Sequence, residues 1–401
     1  MREGFKAITS GTVTSPRGFL AGAVEAGIKS PDKLDLAVLC SEKPCVAAGV
    51  FTSNLIKSAP VVLSKKHLRD QKAQAIVVNS GCANACTGDS GMADAIEMSK
   101  LAADKLGLSI KDVLVVSTGV IGVPLPMDQI RPGIRRFVPT KDGGHKLARA
   151  MMTTDTFPKE IAVAVESKMG RFTIGGVAKG AGMIHPNMAT LLAFLTTDAT
   201  MDADFLQSAL QQAVANSFNM VTIDGDTSPS DTVVILANGL AGTAKINKTN
   251  GEVFQKALEE VCLYLAKCIA RDGEGATKLI EIVIESALNE AQARLAARTI
   301  AGSTLFKAAM YGNDPNWGRI VAALGRSGAK VNERKLEVYL NGVRVMKQGA
   351  PVHFDEQGMR ASLADKEVSV RLCLNLGQGE AVAWGCDLSE EYVTINSAYT
   401  S

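Results

Sequence analysis

The chain has 401 residues, 46% apolar and 21% charged, an ordinary globular makeup in a length that exceeds one compact core in most folds. Lys+Arg is 43 against Asp+Glu 41, a net charge of +2, and aromatics are 5%, so the basic face and stacking surface of a nucleic-acid binder are not expected. The opening MREGFKAITSGTVTSPRGF has no apolar signal-peptide core, and no later run approaches the roughly 18 apolar residues of a membrane helix, so a cytoplasmic protein with no membrane partner is expected.

Val-rich runs bounded by Gly, Pro, Ser or Asn predict strands at 37–40, 45–52, 60–64, 75–81 and 113–119. SGMADAIEMSKLAADKLGL (90–108) has helical spacing, with Asp89 or Ser90 as its cap. RFTIGGVAKG (171–180) and TLLAFLTTDA (190–199) read as strands joined by the loop GAGMIHPNMA. DADFLQSALQQAVANSF (202–218) is an amphipathic helix, DTVVILANG (231–239) a strand, and 251–275 a long helix closing on glycines. LIEIVIESA (279–287) alternates as a half-buried strand does. Beyond about 288 a smaller α/β domain is expected. It has a helix over 289–312, a hairpin at 335–349 around Asn341-Gly342, and a pair 368–376 and 381–389 around GQGE. This mixture predicts a layered α/β (α+β) fold, with a main domain over 1–287 and the smaller domain over 288–401.

Eight cysteines (40, 45, 82, 86, 262, 268, 373, 386) without a secretion signal read as reduced core residues, and the scattered histidines 67, 145, 185 and 353 give no zinc spacing. No metal or cofactor is expected. GEGATK (273–278) fails as a phosphate loop because its lysine follows the threonine and a helix precedes it; KGAG lacks the third glycine of a dinucleotide fingerprint. Taken alone, Thr190 is an ordinary strand threonine, STG (117–119) a strand-end turn and Lys179 a loop lysine.

In context they are more. KGAGMIHPNMAT (179–190) resembles the processing site of the ornithine acetyltransferases, the glutamate N-acetyltransferases of arginine biosynthesis. NSGCANACTG (79–88), VVSTGVIG (115–122), MMTTDTFPK (151–159), SFNMVTIDGDTSPSDT (217–232), IARDGEGATK (269–278), YGNDPNWGRI (311–320) and INSAYTS (395–401) resemble that family's segments in its order, over about four-fifths of the chain. Two positions depart: Cys82, where many members have asparagine, and Ser401, where many end in threonine.

The resemblance implies self-cleavage at Ala189–Thr190 into an α chain, 1–189, and a β chain, 190–401. Thr190 then becomes a nucleophile whose own α-amine, with a pKa of roughly 7.7–8.0, is its base. It implies acetyl transfer from N2-acetylornithine to glutamate through an acetyl-threonine, with Thr118 and Gly119 as the oxyanion hole. Substrate contacts carried over are Thr153, Lys179 for the α-carboxylate, Thr190, Glu274 for the side-chain ammonium, Asn396 and Ser401. The acids and amides of GDTSPSDT and NDPNWGR are read as structural. The implied fold is similar to N-terminal-nucleophile hydrolases, and the implied assembly a heterotetramer of two α and two β chains. Acetyl-CoA stays open as a second donor. The competing reading is an aminopeptidase or amidohydrolase of similar fold.

Overall fold

The computed structural model describes residues 4–185 and 191–398. Among them, nine strands form one sheet: β1 (Phe5–Ala7), β2 (Phe19–Val24), β3 (Leu36–Phe51), β4 (Lys72–Cys82), β5 (Val113–Val120), β6 (Lys159–Ser167), β7 (Gly170–Lys179), β8 (Leu192–Thr197) and β9 (Thr232–Ala237). Their order is β1-β6-β7-β8-β9-β3-β4-β5, with β2 also paired to β3. β3 serves two sets of neighbours. Its first arm, Leu36–Ser41, pairs with β2, and its second, Val46–Phe51, with β9. The register against β4 shifts between Cys40 and Cys45, spanning Pro44, which has no N–H for a ladder. The two short strands expected at 37–40 and 45–52 are these two arms.

The apolar runs of the strands are buried on both faces, which explains their lack of polar alternation. In β5, Val113 and Val115 join a cluster with Met98, Ala102 and Ile130 of flanking helices Gly88–Leu106 and Met127–Arg135, while Leu114 and Val116 point the other way. In β8, Ala193 and Leu195 pack with Leu206, Leu210, Val261 and Leu265 of helices Ala203–Asn216 and Glu252–Arg271; Leu192 and Phe194 point away from these. Leu114, Val116, Leu192 and Phe194 share one cluster, so the two halves of the sheet, joined through β3, face each other. The layers therefore run helix, sheet, sheet, helix. Each such side chain is essentially inaccessible and contributes about 1.5–3 kcal/mol of apolar burial.

The second sheet holds β10 (Leu279–Ala287), β11 (Glu337–Leu340), β12 (Val343–Lys347), β13 (Ala350–Pro351), β14 (Glu367–Cys373) and β15 (Gly379–Cys386), ordered β13-β12-β11-β14-β10-β15. Helix Glu252–Arg271 touches β6 and β7 on one side and β10 and β15 on the other, so it links the two sheets. The layered α/β architecture is the one the sequence pattern predicts.

Four expectations change. Residues 60–64 are not a strand but lie in helix Ala59–His67: Pro60 suits a first helical turn, Lys65, Lys66 and His67 suit a last one, and the Ser64 hydroxyl donates to the Val115 carbonyl at 2.7 Å. The 289–312 helix is two, Glu290–Ala301 and Thr304–Tyr311, parted at Gly302-Ser303. Strands β14 and β15 do not pair with each other; β10 lies between them, parallel to β14 and antiparallel to β15. That places 279–287 inside the second sheet, next to its edge strand β15, so the change of sheet falls before Leu279, not at 288. The hairpin at Asn341-Gly342 forms as read, with φ of 44° and 82° at the two turn residues.

Candidate active site

Strand register assembles the site. β7 and β8 run antiparallel with Lys179 opposite Leu192, and β8 and β9 run parallel with Leu192 opposite Thr232. The chain therefore enters β8 with Lys179 on one flank and Asp231, just before Thr232, on the other. Facing them across the sheet halves is the end of β5, where the Lys179 Nζ donates to the Thr118 hydroxyl at 3.4 Å. A cavity of about 130 Å³ opens there, lined among others by Thr118, Gly119, Thr153, Lys179, Leu191, Asp231, Glu274 and Asn396.

All six predicted site residues within the described chain, Thr118, Gly119, Thr153, Lys179, Glu274 and Asn396, thus share one hollow. Ala189, Thr190 and Ser401 lie outside the described residues; Leu191, the next residue after Thr190, lines the cavity.

Glycines let the parts approach. Gly119 has φ +133°, and a Cβ there would stand 2.2 Å from the Gly81 carbonyl carbon of β4. Gly182, in KGAG, carries no side chain where a Cβ would lie 2.4 Å from the Glu274 carboxylate. Glu274 is held by its backbone N–H, which donates to the Ala181 carbonyl at 2.8 Å, and by the Asn396 amide, which donates to its Oε2 at 2.7 Å. Asn396 rides on the last helix, Glu390–Ser397, which docks on the glutamate's loop through the Ser389 hydroxyl donating to the Gly275 carbonyl at 2.6 Å. The loop after Lys179 is strapped down as far as His185. Asp224 accepts from the N–H groups of Met183 and Ile184, and the Thr227 hydroxyl donates to the His185 carbonyl at 2.8 Å.

Beneath the floor lies a buried charge cluster. Lys159 Nζ donates to Asp155 at 2.7 Å and Asp272 at 2.5 Å, and the Gly180 N–H donates to Asp155 at 2.7 Å, pinning the residue after Lys179. Burial pushes the Asp155 carboxyl up, but Lys159 and Lys179, with the bonds from Lys159 and Gly180, outweigh it and hold it at about 2. Lys179 is pushed below the usual lysine range by burial and by Lys159, against the pull of Asp155, Glu274 and Asp231. A buried ammonium with no bonded carboxylate among the described residues is a ready receptor for one brought by a ligand.

Asp231 is the residue that sequence reasoning missed. Read as structural, a turn or a buried polar pairing, it is 2% exposed, lines the cavity, and keeps its Oδ2 without a hydrogen-bond partner among the described residues. Burial pushes its carboxyl well above the ordinary range, against hydrogen bonds from Ser228 and Thr52 and the charge of Lys179. One signal was present in the sequence: a carboxylate immediately ahead of TVVILA, an all-apolar strand, has no water to face. A carboxyl whose folded pKa is raised loses stability as pH climbs from the unfolded value of about 3.9 toward the folded one. Asp231→Asn is therefore expected to raise the melting temperature at pH 8 while slowing turnover about tenfold or more. Calorimetry beside a rate assay checks this, and a destabilised but fully active variant contradicts it.

The comparisons with known proteins agree with the geometry. The family model described as ArgJ family matches residues 20–401. The arginine biosynthesis bifunctional protein ArgJ of Dehalococcoides mccartyi (strain CBDB1) is 53% identical over 405 residues, covering 100% of both chains. Its counterpart from Symbiobacterium thermophilum is 51% identical over 396 residues, 97% of this chain and 98% of that one. Among solved structures, arginine biosynthesis bifunctional protein argJ from Bacillus halodurans is 43% identical with a TM-score of 0.50, over 51% of this chain and 97% of that chain.

Proposed function

The chain belongs to the ArgJ family, and from that premise we propose an acetyl transfer in two steps at the cavity described above. Thr190, once it is an N-terminus, is the nucleophile. Its α-amine takes the hydroxyl proton as Oγ attacks the acetyl carbonyl of N2-acetylornithine. The oxyanion is met by the Thr118 hydroxyl and the Gly119 N–H, each such donor lowering the barrier by about 2.7–4 kcal/mol. Collapse passes the proton to the leaving α-amine, frees ornithine and leaves an acetyl ester on Thr190. The amine of glutamate then attacks the ester, and the same donors hold the second oxyanion until N-acetylglutamate departs.

Lys179 pairs with the substrate α-carboxylate and regains the partner its burial denies it. Glu274, oriented by Asn396, takes the side-chain ammonium of ornithine; Thr153 and Ser401 complete the pocket. The observation that carries this reading is the placement of a buried lysine and a buried carboxylate around one small cavity beside the start of β8. Such a pair suits a small zwitterion, which favours transfer between amino acids over peptide hydrolysis.

Cleavage at Ala189–Thr190 belongs to the same proposal. Before it, the Thr190 hydroxyl attacks the Ala189 carbonyl and water opens the resulting ester. The Bacillus halodurans chain is matched over 97% of its length by 51% of this one, the size of one piece of a chain cut near its middle. The pieces would stay together, because β8 and β9 of the second pair with β7 and β3 of the first. We place two of each piece in the working assembly, in the cytoplasm; no helix among the described residues is long and apolar enough to cross a membrane. The chemistry needs no metal or cofactor, and the word bifunctional in the relatives' name favours acetyl-CoA as a second acetyl donor.

Transfer is tested with acetyl-labelled N2-acetylornithine. The label should pass to glutamate, with little free acetate when glutamate is left out. Acetate release at the same rate without glutamate would make the protein an amidohydrolase instead.

A further inference from the structure

Outside the substrate cavity, a poorly compensated charge stands at Arg298, on helix Glu290–Ala301. Among the described residues, its buried Nε has no hydrogen-bond acceptor, and burial together with Arg294 pushes the guanidinium below its usual range with no carboxylate opposing them. Arg294, one turn earlier, is by contrast occupied by Glu290, the Ala215 carbonyl and the Asn216 amide. A buried donor left unpaired is costly, and more so when it is charged. Arg298 opens onto a hollow of about 520 Å³, lined also by Arg294, Arg326, Leu295, Gly302 and His185. None of these residues lines the substrate cavity.

We propose that this hollow binds a phosphate-class oxyanion, held by Arg298 and Arg326. Neither arginine has a carboxylate partner among the described residues, so the pair presents two uncompensated positive charges, which match a doubly charged tetrahedral anion better than a single carboxylate. Arg298 supplies a planar fork from the helix, and exposed Arg326, at the end of helix Trp317–Gly325, lines the same hollow. His185 is the last described residue of the loop that lines the substrate cavity at Gly182 and Met183, so an anion here adjoins that loop. The source of the phosphate is either the free ion or a phosphate carried on a larger molecule. The proposal does not depend on the acetyl-transfer reading.

Titration calorimetry on the full protein at constant ionic strength tests it, with inorganic phosphate as one probe and coenzyme A as the other. Wild type should bind phosphate saturably, Arg298→Gln should bind it roughly tenfold or more weakly, and Arg326→Gln, at an exposed position, several-fold more weakly. Arg298→Lys, which keeps the charge but not the fork, should fall between. Acetyl-transfer rate should stay at the wild-type level in all three. Coenzyme A binding that is tighter than phosphate and lost in Arg298→Gln assigns the anion to a nucleotide-bearing ligand; phosphate binding without it assigns the free ion. No binding of either probe, or equal affinity in wild type, Arg298→Gln and Arg326→Gln, overturns the site.

Discussion

Thr190→Ala should leave one intact chain where wild type gives two, 1–189 and 190–401, under denaturing mass spectrometry. Two distinct steps need the same hydroxyl. In the precursor it attacks the Ala189 carbonyl; in the mature protein it accepts the acetyl group. Alanine removes the oxygen from both, and no other hydroxyl in the cavity shares its residue with a free α-amine. Loss of a nucleophile of this kind lowers turnover by roughly 10⁴-fold or more. Wild type given N2-acetylornithine without glutamate should add about 42 Da to the 190–401 piece, the mass of one acetyl ester. Thr190→Ser, which keeps the oxygen, should still be cut and still transfer. A Thr190→Ala chain that is cut and acetylated like wild type would move the nucleophile elsewhere and dissolve the proposed mechanism.

Lys159→Met should give the largest loss of stability. The lysine is 1% exposed and bonds Asp155 and Asp272, themselves 8% and 5% exposed. Methionine fills most of the volume but strands two buried carboxylates, which costs about 3–5 kcal/mol. The pH dependence follows from Asp155, held at about 2 against the unfolded value of about 3.9. A depressed carboxyl contributes stability that is complete above about pH 4 and is lost as pH falls toward 2, about 2–3 kcal/mol for this shift. Without Lys159, burial wins and the Asp155 carboxyl rises, so the stability lost by this group between about pH 4 and 2 should vanish and be replaced by a loss as pH climbs. Urea midpoints from pH 2 to 8 for both proteins check this. A variant within 1 kcal/mol of wild type with the same acid limb would mean that the cluster is not what holds the site floor. Because Asp155 also fixes Gly180, activity should fall even where the variant remains folded.

The local chemistry of the chain was legible as text. Apolar runs such as VLVV and VVIL read as strands, and Asn341-Gly342 read as a tight hairpin, because residues tolerant of positive φ close one. The segments from KGAG to INSAYTS carried the family, and with it Thr118, Gly119, Thr153, Lys179, Glu274 and Asn396. Propensity misled where a neighbour decided. PVVLS has the composition of a strand, yet Pro60 at a helix start and a berth for Ser64 on β5 made it helical.

What no reading along the chain supplied is adjacency. Strands β14 and β15 look like a hairpin until β10, some eighty residues earlier, is found between them. Asp231 looks like a structural turn or pairing residue until register sets it beside the start of β8, buried, with one carboxylate oxygen left without a partner among the described residues. Arg298 looks like one more surface arginine until no carboxylate among the described residues is found to oppose its charge. Residue type and local spacing are written in order along the polymer, and they determined the strands, the turns and the candidate reacting groups. Burial and pairing depend on which distant segments meet, and only the folded sheets decided which charges would lose their water and which would be left to find a ligand.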